Sequence, residues 1–137
     1  MLKLLLLIIL IPATVYSQET NVHPIDKSME NCIDKNASTA GTVKCTDIAY
    51  RMWDKELNKN YQTVMSKLKP ADKQTLKTAQ LEWLKYRDTE FKLVDTIYDQ
   101  LQGTMYIPMR LGQKMEIVKR RSQALATYLD LLSESEP

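Results

Sequence analysis

TVKCTDIAYRMWDKELNKNYQTVMSKL, residues 42–68, places apolar side chains at Cys45, Ile48, Ala49, Met52, Trp53, Leu57, Tyr61, Val64, Met65 and Leu68. Steps of three and four residues put these on one face of a long helix. Thr42 is a fair N-cap for it. Lys69-Pro70 closes it, and Pro70 suits the first turn of a following helix, where its missing N–H costs nothing. Asp72 then lies near the positive end of that helix's dipole. A link this short forces the two long helices to run antiparallel.

Downstream, Leu76, Ala79, Trp83, Tyr86, Phe91, Val94, Ile97, Tyr98 and Leu101 form the apolar side of the second long helix, which Gly103 ends. Pro108 marks an early turn or the start of a last helix. There Leu111, Met115, Val118, Ser122, Leu125, Leu129 and Leu132 alternate steps of four and three, a heptad seam. Upstream, a short helix is expected over about Lys27 to Lys35, followed by a small, polar loop from Asn36 to Thr42. Asn36-Ala37-Ser38 matches a glycosylation acceptor, which matters only in a eukaryotic secretory path and is read as chance. No strand pattern, repeat or low-complexity tract is present. The expected fold is all-α: an antiparallel hairpin of long helices, buttressed by a third long helix, with a short N-terminal helix stapled on by one disulfide.

The chain has 137 residues, enough for one domain, and only 3 Gly and 5 Pro, which favours long helices over many short strands. Lys3 and the apolar run Leu4 to Val15, with Ser17 before Gln18, read as a signal peptide over 1–17; the run is too short to span a bilayer comfortably. Residues 18–26, with Pro24, read as a flexible leader, 27–133 as the domain and 134–137 as a polar tail. Without residues 1–17 the chain has 18 basic and 17 acidic side chains, a balance of +1. That near-neutrality argues against a nucleic-acid or membrane-surface binder. Cys32 and Cys45 are an even pair in a chain read as exported, so a disulfide is expected, contributing roughly 3 kcal/mol. Their spacing fits neither a CxxC redox motif nor a zinc site, and the only histidine is His23, in the leader. No metal or cofactor is expected.

Two clusters stand out. One is Trp53-Asp54-Lys55-Glu56-Leu57-Asn58-Lys59-Asn60-Tyr61; the other is Ala79-Gln80-Leu81-Glu82-Trp83-Leu84-Lys85-Tyr86-Arg87-Asp88. Together with Cys45 they resemble the small exported bacterial proteins named after the LprI lysozyme inhibitor, whose pattern is a Cys, then W-D-x-E-L-N-x-x-Y, then A-Q-x-x-W-x-x-[YF]-R-D. The match runs from about Asn31 to Leu129. Members commonly carry a second Cys pair, one partner lying soon after the R-D; here Phe91 stands at about that place. A Thr that usually precedes an Arg by three in the last helix is also replaced, Val118 preceding Arg121. The resemblance implies a periplasmic or extracellular binding protein, with lysozyme or another cell-envelope protein as partner. It assigns no lysozyme-contact residues.

Read physically, Trp53, Leu57 and Tyr61 form one helical stripe and are expected in the core. Asp54 with Arg87, and Asn58 with Gln80, fall at matching heights on antiparallel helices. They are expected to form a polar clamp, since a half-buried acid beside an Arg is stable only when paired. A hydrolase would need two of Asp54, Glu56 and Asp88 in one concave pocket; Asp54 and Glu56 point to different faces, so no catalytic residue is expected. Lys119, Arg120 and Arg121, with Arg110 and Lys114, read as a solvated face. Steric inhibition of lysozyme by the Asn36–Thr42 loop or the turn near Gly103 is the leading functional reading, and an envelope adaptor the alternative.

Overall fold

Residues 22–134 are described by the computed structural model and form four helices: α1 (Pro24–Lys35), α2 (Thr39–Lys67), α3 (Lys73–Tyr98) and α4 (Tyr106–Glu134). The expected signal segment 1–17 and the tail beyond Glu134 lie outside the described residues. The fold is the expected all-helical one, with the Cys32–Cys45 disulfide tying α1 to α2.

The helix ends differ from expectation for local reasons. α1 begins at Pro24, so the stretch read as leader is helical from there on. His23 caps it, its Nδ1 accepting from the Ile25 N–H at 3.3 Å, and Pro24 occupies a position with no hydrogen bond to lose. α2 begins at Thr39, with Ser38 Oγ accepting from Gly41 N–H at 3.1 Å. The connection is therefore Asn36 to Ser38, and Thr42 sits inside the helix with its N–H on the Ser38 carbonyl at 2.8 Å. Gly41 makes this corner possible, because a Cβ there would fall 2.2 Å from the Asn36 carbonyl oxygen. Pro70 lies in the turn before α3, and Asp72 takes the N-cap position without a side-chain capping bond. Gly103 supplies the positive φ (120°) of the α3–α4 connection.

α2 and α3 are antiparallel, as the short link requires. Tyr50 lies against Phe91 near one end, with ring centroids 6.5 Å apart. The two helices nonetheless make little direct contact along their length, and α4 supplies most of what covers α2. α4 runs parallel to α2: Lys119 lies over Trp53, Asn60 meets Ser122, and Val64 and Leu68 share a cavity with Leu131 and Leu132. It runs antiparallel to α3, touching Asp99 through Arg110, Asp95 through Lys114 and Gln80 through Arg121. The expected heptad seam is the central one: Met115, Val118, Ser122 and Leu125 are all buried, against Ala49, Trp53, Leu57 and Val64 of α2 and Leu76 of α3. Each large apolar side chain in this core contributes on the order of 2 kcal/mol.

The basic run of α4 is not a solvated face. Lys119 Nζ pairs with Asp26 Oδ2 of α1 at 2.7 Å. Lys114 pairs with Asp95 at 2.6 Å, and Arg110 bonds Asp99. Arg121 Nε donates to Gln80 Oε1 at 3.0 Å. Only Arg120, which bonds Glu116 one turn back, stays largely in solvent. One helix thus carries the polar ties that hold α1 and α3 in place.

Candidate functional site: the cleft between α2 and α3

Because α4 draws the apolar stripes of α2 and α3 to itself, the residues flanking those stripes look across a gap at one another. That gap is a cleft of about 430 Å³. From α2 it receives Asp54, Leu57, Asn58, Tyr61 and Gln62; from α3 it receives Lys77, Gln80, Leu81, Trp83, Leu84 and Arg87. Asp54, Asn58 and Tyr61 share it because steps of four and three keep them on one side of α2, and Lys77, Gln80, Leu84 and Arg87 follow the same rule on α3.

The inner wall is set by neighbours from α4. Gln80 is buried, with Oε1 taken by Arg121. The Trp83 ring lies 5.6 Å from the Arg87 guanidinium and 5.8 Å from that of Arg121. Arg121 Nη2 is buried without a hydrogen-bond partner, and burial pushes the guanidinium pKa down from its ordinary value. At the mouth, Arg87 bonds Asp88 at 2.7 and 2.9 Å, and Asn58 Nδ2 donates to Asp54, at 2.8 Å to its carbonyl and 3.3 Å to Oδ2. Tyr50 lies near the end of the cleft. Burial, and then Asp54, push its phenol above the ordinary range.

The expected clamp is therefore not formed. Arg87 reaches Asp88 and Gln80 reaches Arg121, while Asp54 and Asn58 satisfy each other. The heights match, but the arms of the hairpin stand too far apart for these side chains to close. The other motif residues scatter. Trp53 is 1% exposed, beneath α1, and its indole N–H donates to Asp26 Oδ1 at 3.1 Å. The His23 ring stacks on it at 4.3 Å. Glu56 pairs with Lys59 away from the cleft, Ala79 is exposed beside a separate apolar cavity, and Tyr86 is 53% exposed. Asp54, Glu56 and Asp88 do not share a pocket. Phe91, at the place of the family's extra Cys, packs on Tyr50 instead.

Sequence reasoning missed His23, Asp26, Asn60, Lys119 and Arg121. Of these only Asn60 had a local signal, since it falls on the Trp53–Leu57–Val64 stripe where a polar residue needs a buried partner. It finds Ser122, donating to the carbonyl at 3.1 Å and to Oγ at 3.3 Å. Among the described residues no group of three or more His, Cys, Asp or Glu could hold a metal ion, and no helix is long and apolar enough to cross a membrane. What the cleft offers is binding: hydrogen-bond donors and acceptors side by side between leucine walls.

Fold and cleft together define a small helical scaffold, stapled by one disulfide, whose motif residues divide between the core, where Trp53 and Leu57 are buried, and the rim of a recess between α2 and α3. Residues 32–125 match the family described as Lysozyme inhibitor LprI, and the chain belongs to that family. It is 28% identical over 99 residues to an uncharacterized protein, R02472, of Rhizobium meliloti (strain 1021), covering 63% of this chain and 70% of that one. It also resembles the crystal structure of an uncharacterized protein from Burkholderia thailandensis, with a TM-score of 0.75 and 30% identity over 82% of this chain. The match spans 56% of that longer protein.

Proposed function

We propose that the protein is an exported, non-enzymatic binding protein that inhibits lysozyme by covering its cleft. Membership of the inhibitor family over residues 32–125 is the observation that carries this reading. The disulfide supports an oxidising compartment, and the apolar run Leu4–Val15 supports a signal peptide. The surface best suited to the task is the α3–α4 connection, where Leu101, Met105, Ile107 and Met109 are 42, 60, 54 and 48% exposed around the Gly103 turn. Exposed apolar side chains at a helix turn can enter a partner's cleft, and a few such anchors carry most of an interface's energy. The Asn36–Ser38 loop is short, and its Asn and Ser side chains are engaged in capping. With a balance of +1 the mature chain gains no steering toward a basic partner, so the contact rests on apolar burial.

The test is a lytic assay of several lysozyme types against rising amounts of the purified protein. Saturating, stoichiometric loss of lysis is expected, and Met105→Asp with Ile107→Asp should relieve it while leaving the fold intact. Full lysis at a large molar excess with every lysozyme type overturns the reading. A second reading, an adaptor of the cell envelope, is favoured by the apolar cavity that Val64, Leu68, Leu76, Tyr128 and Leu132 line at the opposite end of the bundle. Capture of one envelope protein, lost on Leu131→Asp at the exposed rim of that cavity, would select it.

A further inference from the structure

We infer that the cleft between α2 and α3 binds a short oligosaccharide bearing acetamido groups, a ligand different in kind from a protein partner. The argument starts from what the cleft lacks. Both walls are helices whose backbone groups are bonded internally, so no free edge exists to pair with an extended peptide. Nor is it the apolar groove that an amphipathic helix requires, because Asp54, Asn58, Gln62, Lys77 and Arg87 all open onto it. Its charges are of both signs, and Arg87 already bonds Asp88, so no excess selects phosphate.

What it provides is a set of planar polar side chains with donors beside acceptors. Gln62 offers an amide N–H₂ and a carbonyl, Asn58 offers its carbonyl while its N–H₂ is held by Asp54, Asp54 only accepts, and Arg87 only donates. Such pairs match the vicinal hydroxyls of a sugar, each of which donates and accepts. Gln80 lines the recess with Oε1 held by Arg121, which leaves its N–H₂ as the group for a ligand. Leu57, Leu81 and Leu84 lie between these polar groups. An acetamido substituent carries one N–H, one C=O and one methyl, and an amide beside leucines is the complement of all three. The volume, about 430 Å³, lies in the range of small-molecule sites.

The cleft lies on residues distinct from the Gly103 turn, so this inference and lysozyme inhibition stand or fall separately. The test is a titration of the isotope-labelled protein with the β-1,4-linked trimer of N-acetylglucosamine, read by amide and indole NMR shifts. Saturable shifts are expected at the side-chain amides of Asn58, Gln62 and Gln80 and at the Trp83 indole, with a Kd of about 1 mM or tighter. The glucose trimer of the same linkage should bind about tenfold more weakly, because the amide partners are then left unpaired. Asn58→Ala with Gln62→Ala changes two exposed positions, so it should keep the native melting curve and weaken binding about tenfold. No saturable shift with either trimer, shifts confined to another surface, or unchanged affinity in the folded double variant each overturn the inference. Equal affinity for the two trimers overturns its acetamido part.

Discussion

Asn60 of α2 and Ser122 of α4 meet inside the bundle, where the Asn60 amide donates both to the Ser122 carbonyl at 3.1 Å and to its hydroxyl at 3.3 Å. Asn60 is 7% exposed and Ser122 1%, so water does not compete for either. The pair fixes the height at which two parallel helices slide past one another.

Asn60→Ala should therefore cost about 1–3 kcal/mol, the range for removing one partner of a buried hydrogen bond. Asn60→Asp should cost more, since it places a carboxylate against a carbonyl oxygen. Denaturant midpoints of the two variants give the order. An Asp variant as stable as the Ala variant would mean that the site admits water.

Replacing both cysteines by serine, Cys32→Ser with Cys45→Ser, should lower stability by roughly 3 kcal/mol through the freed loop of the unfolded chain. α1 should be the part that loosens most. Hydrogen exchange checks this: the amides of Asp26 to Ile33 should lose protection before those of Val118 to Leu125.

Trp53→Ala should cost about 3–5 kcal/mol, as for a large buried aromatic. Trp53→Phe keeps most of the volume and removes only the indole N–H on Asp26, so about 1 kcal/mol is expected. Thermal melts of the two variants differing by less than that gap would place the Asp26 bond, rather than core volume, at the centre of the α1 contact.

The Asp54 and Arg87 substitutions should be additive. Neither side chain pairs with the other, and Arg87 holds an Asp88 that is 59% exposed, a contact of under about 1 kcal/mol. A double-mutant cycle on Asp54→Ala and Arg87→Ala should thus give coupling within about 0.5 kcal/mol of zero. Strong coupling would show that the cleft closes in solution.

Alkaline titration should expose Tyr50. Its folded pKa is raised, by burial first and by Asp54 next, above the ordinary 10.0. The folded state therefore favours the neutral phenol. That stability is fully present below pH 10.0 and is lost as pH climbs through the raised value. Denaturation midpoints between neutral and strongly alkaline pH should fall less steeply for Tyr50→Phe than for the parent protein.

Much of this architecture is legible in the sequence because it is periodic. The stripe from Cys45 to Leu68 and the seam from Leu111 to Leu132 announce two helices with one apolar face each. The helix starts are less legible, since Ser38 and Thr42 are both acceptable caps and the choice turns on Gly41 fitting under the Asn36 carbonyl. The fate of Lys119 and Arg121 could not be read locally: the same basic run serves a solvated helix or a hub, and only the positions of Asp26 and Gln80 decide. The clamp failed for a related reason. A short link sets the direction of two helices but not their separation, and α4 sets the separation here. The recess formed by the two motif halves is a product of that third helix.

The parallel pairing of α2 with α4 also dictates an order of events. Asn60 and Ser122 are 62 residues apart in the chain, and the surface that buries Trp53, Leu57 and Val64 comes from α4, with α3 lying between the two in sequence. A chain halted after α3 holds a helical hairpin with nothing to cover its apolar stripe. Cooperative folding therefore waits for α4, and closing α4 onto α2 across the intervening α3 costs more loop entropy than pairing two neighbouring helices would.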